Sequence, residues 1–156
     1  MVETAASPVR GYLPEGILSA KVDTTQTKDA DGYYYKAGDL VEIVADETVG
    51  KATTSGKAIG VLVSSIHESS APEGLDSRHR VSVLTKFRAI VEFTAEGAIN
   101  AGDAVTTSTT NPGRVKALPP ETIDEGGTAT HTIDYRDPIG ICWKGGADGS
   151  KVLVLI

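Results

Sequence analysis

Hydrophobic and polar positions along this 156-residue chain alternate with a period of two, and helical periodicity is nearly absent. The clearest run covers residues 80–93. Val81, Val83, Thr85, Phe87, Ala89, Val91 and Phe93 make an apolar face, and Ser82, Lys86, Arg88 and Glu92 stand on the other, with Leu84 and Ile90 as exceptions. This predicts one long bent strand, or two in succession, exposed on one side. Shorter segments predict strands at 17–22, 40–44, 58–64, 104–107, 114–117, 139–143 and 151–156. Asp29-Ala30-Asp31-Gly32, Asn111-Pro112-Gly113 and Gly145-Gly146-Ala147-Asp148-Gly149 break the chain between them, because glycine reaches positive φ and proline fixes its own. Short strands with frequent turns predict an all-β fold, a barrel or a sandwich-like body, as a single domain over 17–156.

Three segments stand apart from that rhythm. Residues 1–16 hold two prolines, two glycines and scattered apolar groups, and read as an extended N-terminal arm that docks through Val9, Tyr12 and Leu13. Residues 67–79 and 118–135 read as long loops or small excursions, the second projecting from the body, since it opens Leu118-Pro119-Pro120 and contains Gly126-Gly127. The C-terminal 151–156 is an apolar strand without a polar tail and is expected inside a sheet, because an exposed apolar edge invites aggregation.

The two halves echo one another. Lys36-Ala37-Gly38-Asp39-Leu40-Val41 matches Asn100-Ala101-Gly102-Asp103-Ala104-Val105, and Ala58-Ile59-Gly60-Val61 matches Pro138-Ile139-Gly140-Ile141. Between them lies a short basic hairpin, Gly50-Lys51-Ala52 or Gly113-Arg114-Val115, and each half ends on an apolar strand. A Gly-Asp turn entering a strand lets the Asp carboxylate bond nearby amides. Gly60 and Gly140 inside strands point to bulges or close backbone approach. Either a unit is duplicated, or two β-hairpins are alike by chance; the strand-pairing map of the halves separates these readings.

Composition adds exclusions. The chain is 40% hydrophobic and 23% charged, with 15 basic against 21 acidic residues for a net −6. At this length roughly 70% of the unfolded surface can be buried, so no disulfide or metal staple is needed. Cys142 is the single cysteine. The first twenty residues lack the apolar stretch of a secretory signal, and no segment is long enough to cross a bilayer as a helix, so the expectation is a soluble protein made in the cytoplasm, with no membrane partner.

Candidate chemistry is sparse. Residues 50–58 resemble a phosphate-binding loop, but five residues separate the glycines and Ala58 stands where a Ser or Thr would hold Mg²⁺. The Asp29–Gly32 turn lacks the flanking acids of a calcium loop. His67, His79 and His131 are scattered without a metal-ligand spacing. No nucleophile elbow is present, and Cys142 lies in an apolar strand. The expectation is therefore no catalytic residue, no cofactor and no metal. Arg78, His79, Arg80, Lys86 and Arg88 form the one concentration of positive charge. It reads as a solvated strand face or an interface with an acidic protein; stacking aromatics for nucleic acid are lacking. Tyr33-Tyr34-Tyr35 can serve a surface, but Tyr34 opposes the other two on alternation, so at least one ring is expected to serve the core.

Taken together, the Ala37-Gly38-Asp39-Leu40-Val41 turn and strand, the Gly56-Lys57-Ala58-Ile59-Gly60-Val61-Leu62 element, the late glycine-rich turn and the terminal strand resemble the small all-β capsid decoration, or cement, proteins of tailed bacteriophages. The resemblance runs from about residue 22 to 156; the 118–135 insertion departs from it. It implies a β-barrel or β-tulip body, a homotrimer on the outer surface of the expanded capsid, the major capsid protein as partner, no nucleic-acid contact and no enzymatic activity. It also implies a terminal arm reaching over neighbouring subunits, for which residues 1–16 are the candidate. Val9, Tyr12, Leu13, Arg78, Arg80, Lys86 and Arg88 are the candidate contact residues. The alternatives are another virion β-module, such as a head-fibre or tail adaptor, and a ligand-binding or hydrolytic β-barrel using Asp39, Asp103 or the loop histidines.

Overall fold

The computed structural model describes residues 9–54, 57–119, 121–124, 126, 130–133 and 138–156. Strand β1 (Val9–Tyr12) and a short 3-10 turn at Pro14–Gly16 precede β2 (Ile17–Val22), β3 (Tyr33–Tyr35), β4 (Leu40–Ala45) and β5 (Thr48–Lys51). Strands β6 (Gly60–Leu62), β7 (Ile66–His67) and β8 (Arg80–Thr85) complete the first half. The second half runs β9 (Ala89–Ala95), β10 (Ala104–Thr107), β11 (Arg114–Ala117), β12 (Glu121–Asp124), β13 (Thr130–Ile133), β14 (Gly140–Lys144) and β15 (Lys151–Leu155). The chain is all-β, as the alternation predicts. The 80–93 run is two strands, with Lys86, Phe87 and Arg88 as the connector between halves.

Each half closes on itself. In the first, β2-β5-β4-β6-β8 form a closed barrel: β2 runs parallel to β5, and every other pair is antiparallel. In the second, β9 runs parallel to β11, β11 pairs with β10, β10 with β14, β14 with β15, and β15 returns to β9. The two pairing maps are the same, strand for strand, which is the pattern a duplicated unit produces. Even the register carries over: Ile17 faces Leu84 as Ile90 faces Leu155, and Leu40 faces Val61 as Ala104 faces Ile141. The small β3–β7 ladder, where Tyr35 faces Ile66, has its counterpart in the single Ile99–Gly146 bridge.

The turns repeat in atomic detail. The Asp39 carboxylate accepts the Lys36 amide at 3.0 Å, and that of Asp103 accepts the Asn100 amide at 2.9 Å. The Gly38 amide donates to the Leu62 carbonyl and the Gly102 amide to that of Cys142, both at 2.8 Å. Gly60 and Gly140 mark the tightest backbone approaches of their barrels. A Cβ on Gly60 would lie 2.2 Å from the Leu84 carbonyl oxygen and 2.7 Å from Val83; on Gly140 it would lie 2.2 Å from the Leu155 oxygen and 2.8 Å from Val154. Close approach, rather than a bulge, explains both glycines.

Several local expectations are corrected. Gly50 and Lys51 lie within β5, and the first hairpin turns instead at Asp46-Glu47, with Glu47 at φ +54°. Gly113, at φ +81°, is the counterpart of Glu47 and not of Gly50. Strand β5 escapes the sequence pattern because Thr48-Val49-Gly50-Lys51 offers one apolar side chain. Residues 67–79 begin inside β7, and 118–135 contain β12 and β13, which among the described residues pair only with each other. An irregular register between Tyr33 and Tyr35 breaks the alternation there: Tyr35 is fully buried, while Tyr33 and Tyr34 are half-buried.

Two apolar clusters fill the body. Ala95, Ile99, Val105, Val115, Cys142, Val152 and Val154 form the interior of the second barrel. The other cluster contains the first barrel's interior, including Leu18, Val41, Val49, Leu62 and Val83, and extends to Phe87, Trp143 and Leu155. Burial pushes the Cys142 thiol up to about 12, so it packs as a small apolar group.

Alanine at either Gly60 or Gly140 is expected to destabilise the protein by about 1–3 kcal/mol or more, because the backbone oxygen cannot move aside. Gly11→Ala, where a Cβ meets nothing within 4 Å, is the control and should leave the melting temperature almost unchanged. Equilibrium denaturation of the three variants checks this. Deleting residues 153–156 removes most of β15 from between β14 and β9, and the product is expected to show no cooperative melt.

Candidate functional site

Four groups of residues are accessible enough, or chemically rich enough, to act on something outside the chain. The first is a crevice of about 400 Å³ where the barrels meet, lined by Glu42, Ile43, Lys57 and Ile59 from the first half and by Asp103 and Ile141 among others from the second. Its carboxylates are already committed. Glu42 accepts four hydrogen bonds, from the amides and hydroxyls of Thr53 and Thr54, at 3.2–3.4 Å. Burial pushes its acidity toward the neutral form, but those bonds outweigh burial and hold its pKa below the usual value. Asp103 locks its own turn, as described above. Asp39 lies in the equivalent turn of the other half, where it meets Lys51 at 3.7 Å. The crevice therefore gathers Asp103 but neither Asp39 nor a described histidine.

The second group is the flap of β3 and β7. His67 stands 4.7 Å from the Tyr33 ring, edge to face. Its Nδ1 accepts the Ser69 amide at 3.1 Å, and its Nε2 donates to the Asp31 carbonyl at 3.1 Å. Lys28 pairs with Glu68, and the Asp29 carboxylate accepts the amides of Asp31 and Tyr33. The acids of this turn thus brace backbone and a lysine. Among the described residues, no three His, Cys, Asp or Glu side chains stand together as a metal site requires.

The third group is the basic cluster, which the fold divides. Arg80 opens β8 and Lys86 follows its end, so the length of the strand, roughly 20 Å, separates them. Arg78 is held by Asp76 at 2.7 Å, and that guanidinium holds the Asp76 carboxyl down to about 2. Lys86 sits 5.7 Å from the Phe87 ring centre, and the Arg88 guanidinium lies over Gly16. Arg78, Arg80, Lys86 and Arg88 are all exposed, but they form two ends and not one patch.

The N-terminal candidates are placed differently from expectation. Residues 1–8 lie outside the described residues. From Val9 onward the backbone is β1, paired with β9 so that Tyr12 faces Ala89. Leu13 is buried in the first cluster, and its amide donates to the Arg88 carbonyl at 2.8 Å. Leu13 is therefore spent on the chain's own core, because Phe87 and the inter-barrel connector give it an apolar seat.

A fourth group was not singled out in the sequence. On the outside of the first barrel, Ile17, Leu84, Val61 and Leu40 stand in register across β2, β8, β6 and β4. Leu40 is 59% and Leu84 43% exposed, with Val44 and Val63 also exposed nearby in the chain. An exposed apolar row on a sheet face is a candidate interaction surface. The signal available in the sequence was Leu84 itself, an apolar residue on the polar phase of its strand.

The lowered carboxylates give a sign to pH dependence. Asp29, Glu42, Glu68, Asp76 and Glu96 are all more acidic in the fold than free carboxylates, each because hydrogen bonds from backbone or side chains favour the charged form. The stability they supply is complete above the ordinary carboxylate range and is lost as pH falls through the folded values, for Asp76 between 3.8 and about 2. Thermal melts should be flat from pH 7 to about 5 and fall steeply below about 4. Glu42→Gln should lower the melting temperature at pH 7 and reduce that acid slope.

No protein-family model matches this chain, and no curated protein matches it.

Proposed function

We propose that this protein is a non-enzymatic decoration protein of a phage capsid, bound to the outer surface of the expanded head and stabilising it as a homotrimer. The observation that carries the reading is the work done by the resemblance motifs. Ala37-Gly38-Asp39 and Ala101-Gly102-Asp103 occupy the same place in two identically paired barrels, and their acids cap their own turns. Among the described residues, Asp29, Glu42, Glu68 and His67 are likewise committed to backbone groups, hydroxyls or a lysine. What remains outward is a rigid body with an apolar row and separated basic ends.

Such a protein acts through number. Each copy binds one of many equivalent lattice positions, and contacts within a trimer are multiplied by linkage. Binding the mature lattice more tightly than the immature one stabilises it by mass action. Arg80, Lys86 and Arg88 are the candidate contacts with an acidic capsid surface; Leu13, buried, is not one of them. A head-fibre or tail adaptor would use the same rigid body at fewer sites.

Co-sedimentation with expanded and unexpanded heads of the parent phage tests the proposal. The expected outcome is binding to expanded heads at a stoichiometry set by lattice symmetry, with little on unexpanded ones, and a weaker, more salt-sensitive interaction for the Lys86→Glu, Arg88→Glu double variant. Equal binding to both head forms, or none to either, overturns it.

A further inference from the structure

The outward apolar row occurs twice in this chain and is covered once. In the second barrel its counterpart is Ile90, Leu155, Ile141 and Ala104, in the same register across β9, β15, β14 and β10. That copy faces the first barrel. Leu155 is fully buried, where its counterpart Leu84 is 43% exposed; Trp143 is 2% exposed, where its counterpart Val63 is 49% exposed. Both buried members belong to the apolar cluster of the first barrel.

The surface that covers the row is equally definite. Ile43 and Ile59 of the first barrel line the junction crevice opposite Ala104 and Ile141. A Cβ on Gly102 would lie 3.5 Å from the Ile43 carbonyl oxygen, whereas one on Gly38, the equivalent position, would meet nothing within 4 Å. Two hydrogen bonds tie the seam: the Glu47 amide to the Trp143 carbonyl at 2.9 Å, and the Gly145 amide to the Asp46 carboxylate at 2.9 Å. The covering surface also has an uncovered copy. Ile59 is 5% exposed, and Ile139, its counterpart on the second barrel, is 38% exposed. Thr107, the counterpart of Ile43, is exposed as well.

The first barrel therefore presents an open row, and the second presents the open counterpart of the surface that seats such a row, with Ile139 in place of Ile59 and Thr107 in place of Ile43. We propose that the first barrel's row, centred on Leu84, Val61 and Leu40, docks on the Ile139 end of a second copy of this chain, repeating between chains the junction that already joins the two barrels within one. The contact is heterologous, head to tail, and must close into a ring or extend. In a trimer it recurs three times, alternating with the three intrachain junctions, to place six barrels in a ring. The inference deepens the oligomer of the preceding reading, but its ground is the internal repeat and not the capsid.

Sedimentation velocity of the full chain at tens of micromolar, without any capsid, tests it. The wild type is expected as a closed oligomer. Leu84→Asp removes the row and Ile139→Asp removes the seat, and each variant alone should fall to single-chain mass. Mixed one to one, they should form a dimer and nothing larger, since the intact seat of L84D accepts the intact row of I139D once. Formation of that dimer also shows both variants folded; Leu84→Ser and Ile139→Ser serve if an aspartate variant does not melt cooperatively. A monomeric wild type, a variant retaining the wild-type mass, or a mixture that stays monomeric overturns the proposal. Because no head is present, these outcomes are separate from those of co-sedimentation: an oligomer that binds no head leaves this contact standing, and a monomer that binds heads removes this contact and the free homotrimer while leaving head binding.

Discussion

A five-stranded ring is narrow, and in each half its tightest backbone approach falls on a glycine inside a strand. Gly60 and Gly140 permit β6 and β14 to lie against the carbonyls of Leu84 and Leu155 at distances no side chain tolerates. Next to those contacts Leu62 pairs with Val83 and Cys142 with Val154, all four buried in the barrel interiors. The outward phase follows by alternation, and with it the rows led by Leu84 and Leu155.

The second constraint is the junction. Two barrels joined by three residues, Lys86, Phe87 and Arg88, would be free to move were it not for the burial of Trp143 and Leu155 in the first barrel's cluster. The hydrogen bonds from Glu47 and Gly145 fix the direction of that packing. Burying a Trp and a Leu removes apolar surface worth several kcal/mol on the scale of about 25 cal/mol per Å². Strand β1 adds a further tie, since it pairs with β9 and delivers Leu13 to the same cluster.

The polar chemistry serves this scaffold. Asp39, Asp103, Asp29 and Glu42 each accept amides of their own or adjacent turns, which pins loops that have little apolar material to hold them. The cost of such an arrangement is that these acids are unavailable as bases or ligands. Of the chain's 21 acidic residues, these four hold turns of the fold.

The alternation of side chains determined the all-β class and most strand positions, because period two is a local property of a pleated strand with one wet side. The AGD and IG repeats were legible for the same reason: a turn residue or a close-approach glycine leaves a mark at its own position. Strand β5 left little mark, with only Val49 to bury, and the Asp46-Glu47 turn needed no glycine. The basic cluster was legible as sequence and misleading as space, since a strand carries Arg80 and Lys86 to opposite ends. Leu84 and Ile90 were visible as breaks in the alternation, but their opposite fates were not. Whether an outward apolar residue is buried or bare depends on what stands across from it, and only the tertiary structure, by seating one barrel on the other, decided that Leu155 is covered and Leu84 is not.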